Sequence, residues 1–291
     1  MGSRLHAPYY ADAAMQRDVA IVENVAVATD TYRVRLHCTE IAERVIPGQF
    51  LMVRIADCND PLIGRALAVY NVLPDSSGCS TVIDLIYHVK GKFTTYLKRS
   101  PPGQQLGVWG PLGNGFPPLE CQHLIMVAGG VGQTPFLTLA REHLGLQQFG
   151  SPPRHVRPLS RVTLCFGAES EKFLGGVEDF RRLGIDVRLA TIDGSTGHHG
   201  PVTELLAHEL DKNAREVKVA SCGPAAMMKE SARIAANSRV PCYVSLETPM
   251  ACGIGICFTC VAKIRDTAGH WDYKRTCVEG PVFDATRVSW D

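Results

Sequence analysis

At 291 residues, with a formal charge of +1, 45% apolar and 20% charged side chains, the chain is sized for two domains, or two and a small module. That balance gives no electrostatic reason for a nucleic-acid or anionic-membrane partner, and no run approaches the roughly eighteen apolar residues of a transmembrane helix. No apolar signal core opens the chain, which reads as cytoplasmic, and Met1-Gly2-Ser3 is followed by His6 where a myristoylation signal needs Ser or Thr.

Residues 1–17 are expected to form an extension without an assignable role. The stretch 18–118 reads as antiparallel β. Val19 to His37 alternates, and apolar runs follow at Phe50–Ile55, Ala66–Leu73, Thr81–Val89 and Gln104–Trp109. Turn signals separate them at Pro47-Gly48, Asp75-Ser76-Ser77-Gly78 and Pro101-Pro102-Gly103. About six strands at that spacing, without helix patterns, predict a small barrel.

From 119 to 243 the pattern changes. Leu124–Ala128 is a continuous apolar run that enters Gly129-Gly130-Val131-Gly132, and a helix is predicted from Pro135 to about Leu146. Buried-type strands at Val162–Phe166, Val187–Ile192 and Val217–Ala220 alternate with helical stretches at Glu178–Leu183, Val202–Leu210 and Pro224–Ala236. Alternation of this kind predicts a parallel, Rossmann-like sheet covered by helices. Gly150–Arg154 reads as a surface loop. The last segment, 244–291, is dense in Cys and Gly, shows neither periodicity, and is too small for a core of its own without a metal centre.

Eleven cysteines, an odd number without an export signal, argue against a disulfide framework. Cys38, Cys58, Cys79, Cys121, Cys165, Cys222 and Cys242 are dispersed and read as small buried hydrophobes. Cys252, Cys257 and Cys260 instead follow C-x4-C-x2-C, and Cys277 comes after sixteen intervening residues. The first three match the plant-type [2Fe–2S] ligand run, in which a Gly-bearing loop (here Gly253 and Gly255) wraps the cluster and a fourth thiolate arrives separately. A zinc site is the alternative, though zinc knuckles usually come as two close pairs.

Two further loops fit phosphates. Gly129–Pro135 joins a buried strand to a helix, where backbone amides can meet a pyrophosphate. Its spacing is not G-x-G-x-x-G, no acidic residue is placed to read a ribose, and an unliganded turn explains it equally well. Ser221-Cys222-Gly223-Pro224 ends another strand at the same sheet edge. Arg65, in Gly64–Tyr70, offers a guanidinium to a phosphate, while Gly91–Thr95 and Gly110–Phe116 can be read as barrel turns.

Taken in this order, the segments resemble the electron-transfer subunits of type B dihydroorotate dehydrogenases, in the ferredoxin–NADP reductase-like superfamily. The resemblance runs from about Val19 to Trp290 and is carried by Gly110–Phe116, Ser245–Gly255 and Tyr273–Phe283. It implies an FAD-binding barrel, an NAD-binding α/β domain and a [2Fe–2S] module. Arg65, Ala66, Leu67 and Ala68 would hold the flavin, with Gly91, Thr94 and Thr95 near its pyrophosphate. Gly130, Gly132, Cys222, Gly223 and Pro224 would face the nicotinamide nucleotide, and Cys252, Cys257, Cys260 and Cys277 would ligate the cluster. In the family this subunit pairs with an FMN-containing catalytic subunit that oxidises dihydroorotate to orotate, and electrons pass through the cluster and FAD to NAD. No catalytic acid or base is expected. Two positions depart from the family's pattern: Arg-Pro-Ile-Ser is here Arg65-Ala66-Leu67-Ala68, and Gly-Lys-Gly-Thr carries Phe93, whose ring is expected to obstruct close backbone approach. Reductase subunits of hydrogenases, ferredoxin:NADP oxidoreductases or oxygenases are the alternative within oxidoreductases. A non-catalytic, metal-stabilised binding subunit is the alternative outside them.

Overall fold

A computed structural model describes residues 11–56, 58–74, 79–212 and 216–290; Met1-Gly2-Ser3, most of the expected extension and the Asp75–Gly78 turn lie outside these residues. The first part of the chain forms β1 (Met15–Ala28), β2 (Thr31–His37), α1 (Thr39–Ala42), β3 (Phe50–Ile55), β4 (Arg65–Pro74), β5 (Ser80–His88), α2 (Lys92–Lys98) and β6 (Gln105–Leu112). Its six strands close into an antiparallel barrel in the order β1-β2-β5-β4-β3-β6. Register shifts at Ile21/Glu23 and Ala26/Ala28 interrupt the pairing of the long β1 with β2. The first half of β1 pairs with β6, starting at Met15↔Gly110, and its second half with β2. Residues 15–17, expected in the extension, thus belong to a barrel strand.

Gly91–Thr95 is not a barrel turn but the start of α2. Phe93 is buried there among Ile55, Leu97 and Leu106 of the barrel core, so its ring points inward and does not obstruct the loop. The departure at this position is absorbed by packing.

The second part contains β7 (His123–Gly129), α3 (Phe136–His143), β8 (Arg161–Ala168), α4 (Val177–Arg181), β9 (Asp186–Thr191), β10 (His198–His199), α5 (Val202–Lys212), β11 (Val217–Cys222), α6 (Ala225–Asn237) and β12 (Cys242–Ser245). Its strands are parallel, and helices cover both faces. Phe136, Leu139 and Phe180 from α3 and α4 pack on one side, and Leu206, Leu210, Met228 and Ala235 from α5 and α6 on the other. Cys38, Cys165 and Cys242 are buried as small hydrophobes; Cys58, Cys121 and Cys222 are only half-buried, and Cys79 is exposed, against expectation. The Gly150–Arg154 loop is pinned at its end, where Arg154 grips Glu142 through two 2.6 Å bonds and donates to the Phe116 carbonyl.

The last segment does have regular structure: β13 (Val261–Arg265) and β14 (Trp271–Arg275) form a hairpin, and β15 (Val282–Asp284) pairs antiparallel with β12. The full sheet order is β10-β9-β8-β7-β11-β12-β15, so the cysteine-rich segment is sewn to the α/β sheet through backbone bonds.

His143 is fully buried where α3 meets the barrel. Its Nδ1–H donates to the Leu139 carbonyl and its Nε2 accepts the Leu119 amide, at 3.0 and 3.1 Å, which fixes a neutral ring. Burial pushes it down to about 4, and His123, buried against Thr163, likewise to about 4. The unfolded chain therefore takes up these protons first. The stability that they contribute is present above pH about 6.5 and is lost as pH falls toward 4, with a slope of up to about 1.4 kcal/mol per pH unit for each histidine. His143→Gln should flatten the pH dependence of the urea midpoint between pH 7 and 5; an unchanged slope would show that His143 does not carry it.

Candidate functional site

The four clustered thiols come together in two pairs. Cys260 and Cys277 are buried with their sulfurs 3.2 Å apart, while Cys252 hydrogen-bonds Cys257, which is exposed. Thr259, through hydroxyl and amide, holds the Cys257 thiol down to about 6. Cys260 and Cys277 share a hydrogen bond that lowers Cys260 to about 6 and raises Cys277. Cys260 is clamped by the residue before its partner: the Thr276 amide and hydroxyl donate to the Cys260 carbonyl at 2.8 and 3.0 Å.

Two thiol pairs are the donor set of a two-iron cluster, with two thiolates for each iron. A single zinc needs all four ligands to converge on one point, whereas a pair of irons takes them two by two. The set present fits [2Fe–2S].

This loop is built directly onto the barrel. The Trp109 indole N–H donates to the Cys252 carbonyl at 2.8 Å, and Phe50, Met52 and Leu112 of β3 and β6 pack with Cys260, Cys277 and Val278. Gly253 is required by that contact: a Cβ there would lie 2.5 Å from Met52 Cγ at a φ of +75°. Asn114, in the loop read as a barrel turn, is a clamp instead. Its side-chain amide donates to the Glu279 and Val282 carbonyls and its oxygen accepts the Val282 amide.

Strand β4 links this region to the α/β domain. Its side chains alternate, so Leu67 and Val69 enter the barrel core while Ala66, Ala68 and Tyr70 share the outer face. Ala66 packs with the cysteine module; Tyr70 is buried against the α/β domain, donating to Asp179 of α4 at 2.7 Å. Between them stands half-buried Ala68, with about 13 Å of strand from Ala66 to Tyr70. Where the family's pattern has Pro and Ser, Ala66 and Ala68 put only methyl groups on that face.

The antiparallel β4–β5 register puts Arg65 and Gly91 at the same end of the barrel. Arg65 is exposed, and its guanidinium turns back to the Ile63 and Gly64 carbonyls at 2.8 and 3.1 Å. At Gly91 an added Cβ would meet nothing within 4 Å, so the backbone is open to a ligand. Thr94, by contrast, spends its hydroxyl on its own helix start: it accepts the Lys90 and Gly91 amides and donates to the Gly91 carbonyl. Thr95 is exposed one position on.

The two glycine-bearing turns of the sheet meet. Strands β7 and β11 are parallel neighbours, Cys222 opposite Ala128, so both turns leave at the same edge. A Cβ on Gly132 would lie 2.2 Å from the Cys222 carbonyl oxygen, and one on Gly223 would lie 2.9 Å from the Gly129 nitrogen. Gly130 has a φ of +54° and open space beside it. Pro224 sits against Gly129, and burial pushes the half-buried Cys222 thiol up to about 12, so it is a neutral thiol at this edge.

Several residues escaped the sequence reading. Trp109 and Met52 carried no motif, being ordinary barrel residues until the fold sets the cysteine loop on them; Asn114 lay in a quoted motif, but its clamping role was not read from it. Glu169 lies just past the end of β8, one strand from the Gly129 turn. It was hidden because residues 144–160 separate it from the glycines by more chain than the usual fingerprint has.

Comparison with known proteins adds to this geometry. Residues 247–289 match the iron–sulfur cluster binding domain of dihydroorotate dehydrogenase B, and residues 18–116 match an oxidoreductase FAD-binding domain. The chain is similar to a protein of Desulforamulus reducens called dihydroorotate dehydrogenase B (NAD(+)), electron transfer subunit, at 34% identity over 94% of this chain and 98% of that one. A Shouchella clausii protein of the same description is 33% identical, again over 94% and 98%. Among solved structures, an NADH-dependent reduced ferredoxin-NADP oxidoreductase studied for flavin-based electron bifurcation superposes with a TM-score of 0.76 at 26% identity, over 94% of this chain and 90% of that one. The ferredoxin reductase of carbazole 1,9a-dioxygenase shares the fold, with a TM-score of 0.63 at 19% identity over 78% of this chain and 67% of that one.

Proposed function

The chain belongs to the family of dihydroorotate dehydrogenase B electron transfer subunits, and from that membership we propose how its residues carry electrons between a dihydroorotate-oxidising partner and NAD(H). The observation that carries the reading is the outer face of β4, which runs from the cysteine module at Ala66, past Ala68, to the α/β domain at Tyr70. When bound, FAD exchanges hydride with nicotinamide and the [2Fe–2S] cluster exchanges single electrons, so that together they join two-electron to one-electron chemistry.

We assign the flavin to the strip of Ala66 and Ala68, with Arg65 at its barrel end and the open backbone of Gly91 receiving the pyrophosphate. Leu67 backs the strip from inside the barrel. Thr94 acts indirectly, by holding the start of α2, and Thr95 lies at the rim. Gly130, Gly132, Cys222, Gly223 and Pro224 form the nucleotide edge: the tight approach of the two turns presents backbone amides, and the neutral Cys222 thiol keeps charge away from the nicotinamide. Glu169 is suited to accept hydrogen bonds from an adenosine ribose diol, which favours NAD over its 2′-phosphorylated form. Cys252, Cys257, Cys260 and Cys277 hold the cluster.

The partner, an FMN-containing catalytic subunit, docks in this reading where Ile256 and Phe258 flank Cys257. Both are more than 60% exposed, and Trp271 and Tyr273 extend the apolar face along β14. The test is an anaerobic ultraviolet–visible spectrum with iron and zinc analysis, before and after NADH. Flavin bands and a cluster shoulder that both bleach, with about two irons per chain, are expected. Stoichiometric zinc in a colourless protein would sink the reading.

A further inference from the structure

Arg275 lies two residues before Cys277, yet its side chain reaches into the loop that carries the other three cysteines. Its Nη1 donates to the Gly255 carbonyl at 3.0 Å, inside the C-x4-C turn. Nη2 and Nε grip Glu279 at 2.8 and 3.2 Å, and Glu279 in turn accepts the Arg275 backbone amide at 2.8 Å. The guanidinium carbon stands 5.3 Å from the centre of the Phe258 ring, which follows Cys257 directly.

Phe258 is 62% exposed and has a φ of +56°, a left-handed conformation that an aromatic residue rarely adopts. Burial does not compensate for that strain; stacking under the guanidinium is what meets the ring. Gly255 is constrained from the same side, since a Cβ there would lie 2.6 Å from Val278 and 3.2 Å from Arg275 Nη1. One planar fork thus touches the backbone on one side of Cys257 and the ring on the other, while its own backbone leads to Cys277.

We propose that Arg275 is a positioning residue that latches the Cys252–Cys260 loop to the Cys277 segment, with Phe258 as the outer clasp, and so sets how firmly the thiols retain an iron–sulfur cluster. The inference rests on the reading of those thiols as a cluster site. Grip here depends on the fork and the flat face of the guanidinium, neither of which Lys supplies. Glu279 balances the charge, so removing the arginine alone would leave a carboxylate unpaired near the thiols.

The experiment follows chelator-driven loss of visible absorbance in the full, cofactor-loaded chain, for wild type, Arg275→Lys, the double variant Arg275→Gln/Glu279→Gln, and Phe258→Gly. Each variant is expected to release iron at least about tenfold faster than wild type, the scale of contacts just outside a metal's ligands. Visible circular dichroism of the cluster should change as well, while bleaching of the flavin by NADH stays at the wild-type rate in the Arg275 variants. Phe258→Gly relieves the backbone strain at an exposed position, so its folding is not in question. Wild-type release rates in Arg275→Lys and in the double variant would overturn the latch, and a wild-type rate in Phe258→Gly would overturn the clasp. Wild-type protein without iron would instead bring down the cluster assignment on which the latch depends.

Discussion

Cys257→Ser protein is expected to purify folded, with flavin bound and bleached normally by NADH, but to deliver electrons to the partner subunit at least about a hundredfold more slowly. Contacts just outside a metal's ligands are worth about 10- to 100-fold, so a ligand itself sets a higher floor. The two halves of this result separate because of where Cys257 lies. It is exposed, so the smaller oxygen leaves no void in the core, and Ala66 and Ala68, to which the flavin is assigned by proposal, belong to β4 rather than to the cysteine loop. Cys260→Ser would be a poorer test. That thiol is buried against Cys277, Phe50 and Met52, and its loss disturbs the packing that holds the module on the barrel. The measurement is the NADH-driven rate of orotate reduction in the reconstituted complex, alongside stopped-flow bleaching of the flavin. A Cys257→Ser chain that supports the partner at the normal rate would show that electrons do not pass this way.

The sequence carried the cysteine spacing, the barrel and the alternating sheet, because each depends on local pattern: thiol spacing on loop geometry, strand count on turn residues, parallel strands on continuous apolar runs such as Leu124–Ala128. Contacts that arise only when distant segments meet were not legible. Phe93 looked obstructive because a ring in a glycine-type loop suggests bulk in the ligand's path; the start of α2 turns it into the barrel core instead. The strands β13 to β15 left no periodicity because they are short and lean on β12 and on each other, so tertiary pairing rather than alternation defines them. Asn114 appeared to be a turn residue, and only the return of residues 279–282 gives its amide something to clamp. Ala66 and Ala68 looked like losses, of a proline ring and of a hydroxyl. In the fold they are half-buried small residues on the β4 face between two packed modules, with Ala66 itself packed against the cysteine module.

Gly132→Ala should damage the nucleotide edge far more than Gly130→Ala, although the two glycines are equally prominent in the sequence. At Gly132 a methyl group would fall 2.2 Å from the Cys222 carbonyl oxygen, 2.5 Å from its carbon and 2.7 Å from Gly223 Cα, all backbone atoms. Neither strand can yield as a whole, because β7 and β11 are paired from Val217↔His123 to Cys222↔Ala128. The two turns themselves must part. Overpacking of this kind costs about 1–3 kcal/mol, which lowers Tm by roughly 2–10 °C in a protein of this size class. Separation of the turns by about 1 Å also misplaces the dinucleotide, with an expected loss of around a hundredfold in kcat/KM for NADH with an artificial acceptor. At Gly130 the added methyl meets nothing, and the φ of +54° is the only penalty, so about 1 kcal/mol of stability and a few-fold change in rate are expected. Thermal melts and steady-state NADH oxidation on both variants decide the matter. Equal effects at the two positions would mean that the close approach of the β7 and β11 turns is packing alone, and that the dinucleotide is held elsewhere on the sheet edge.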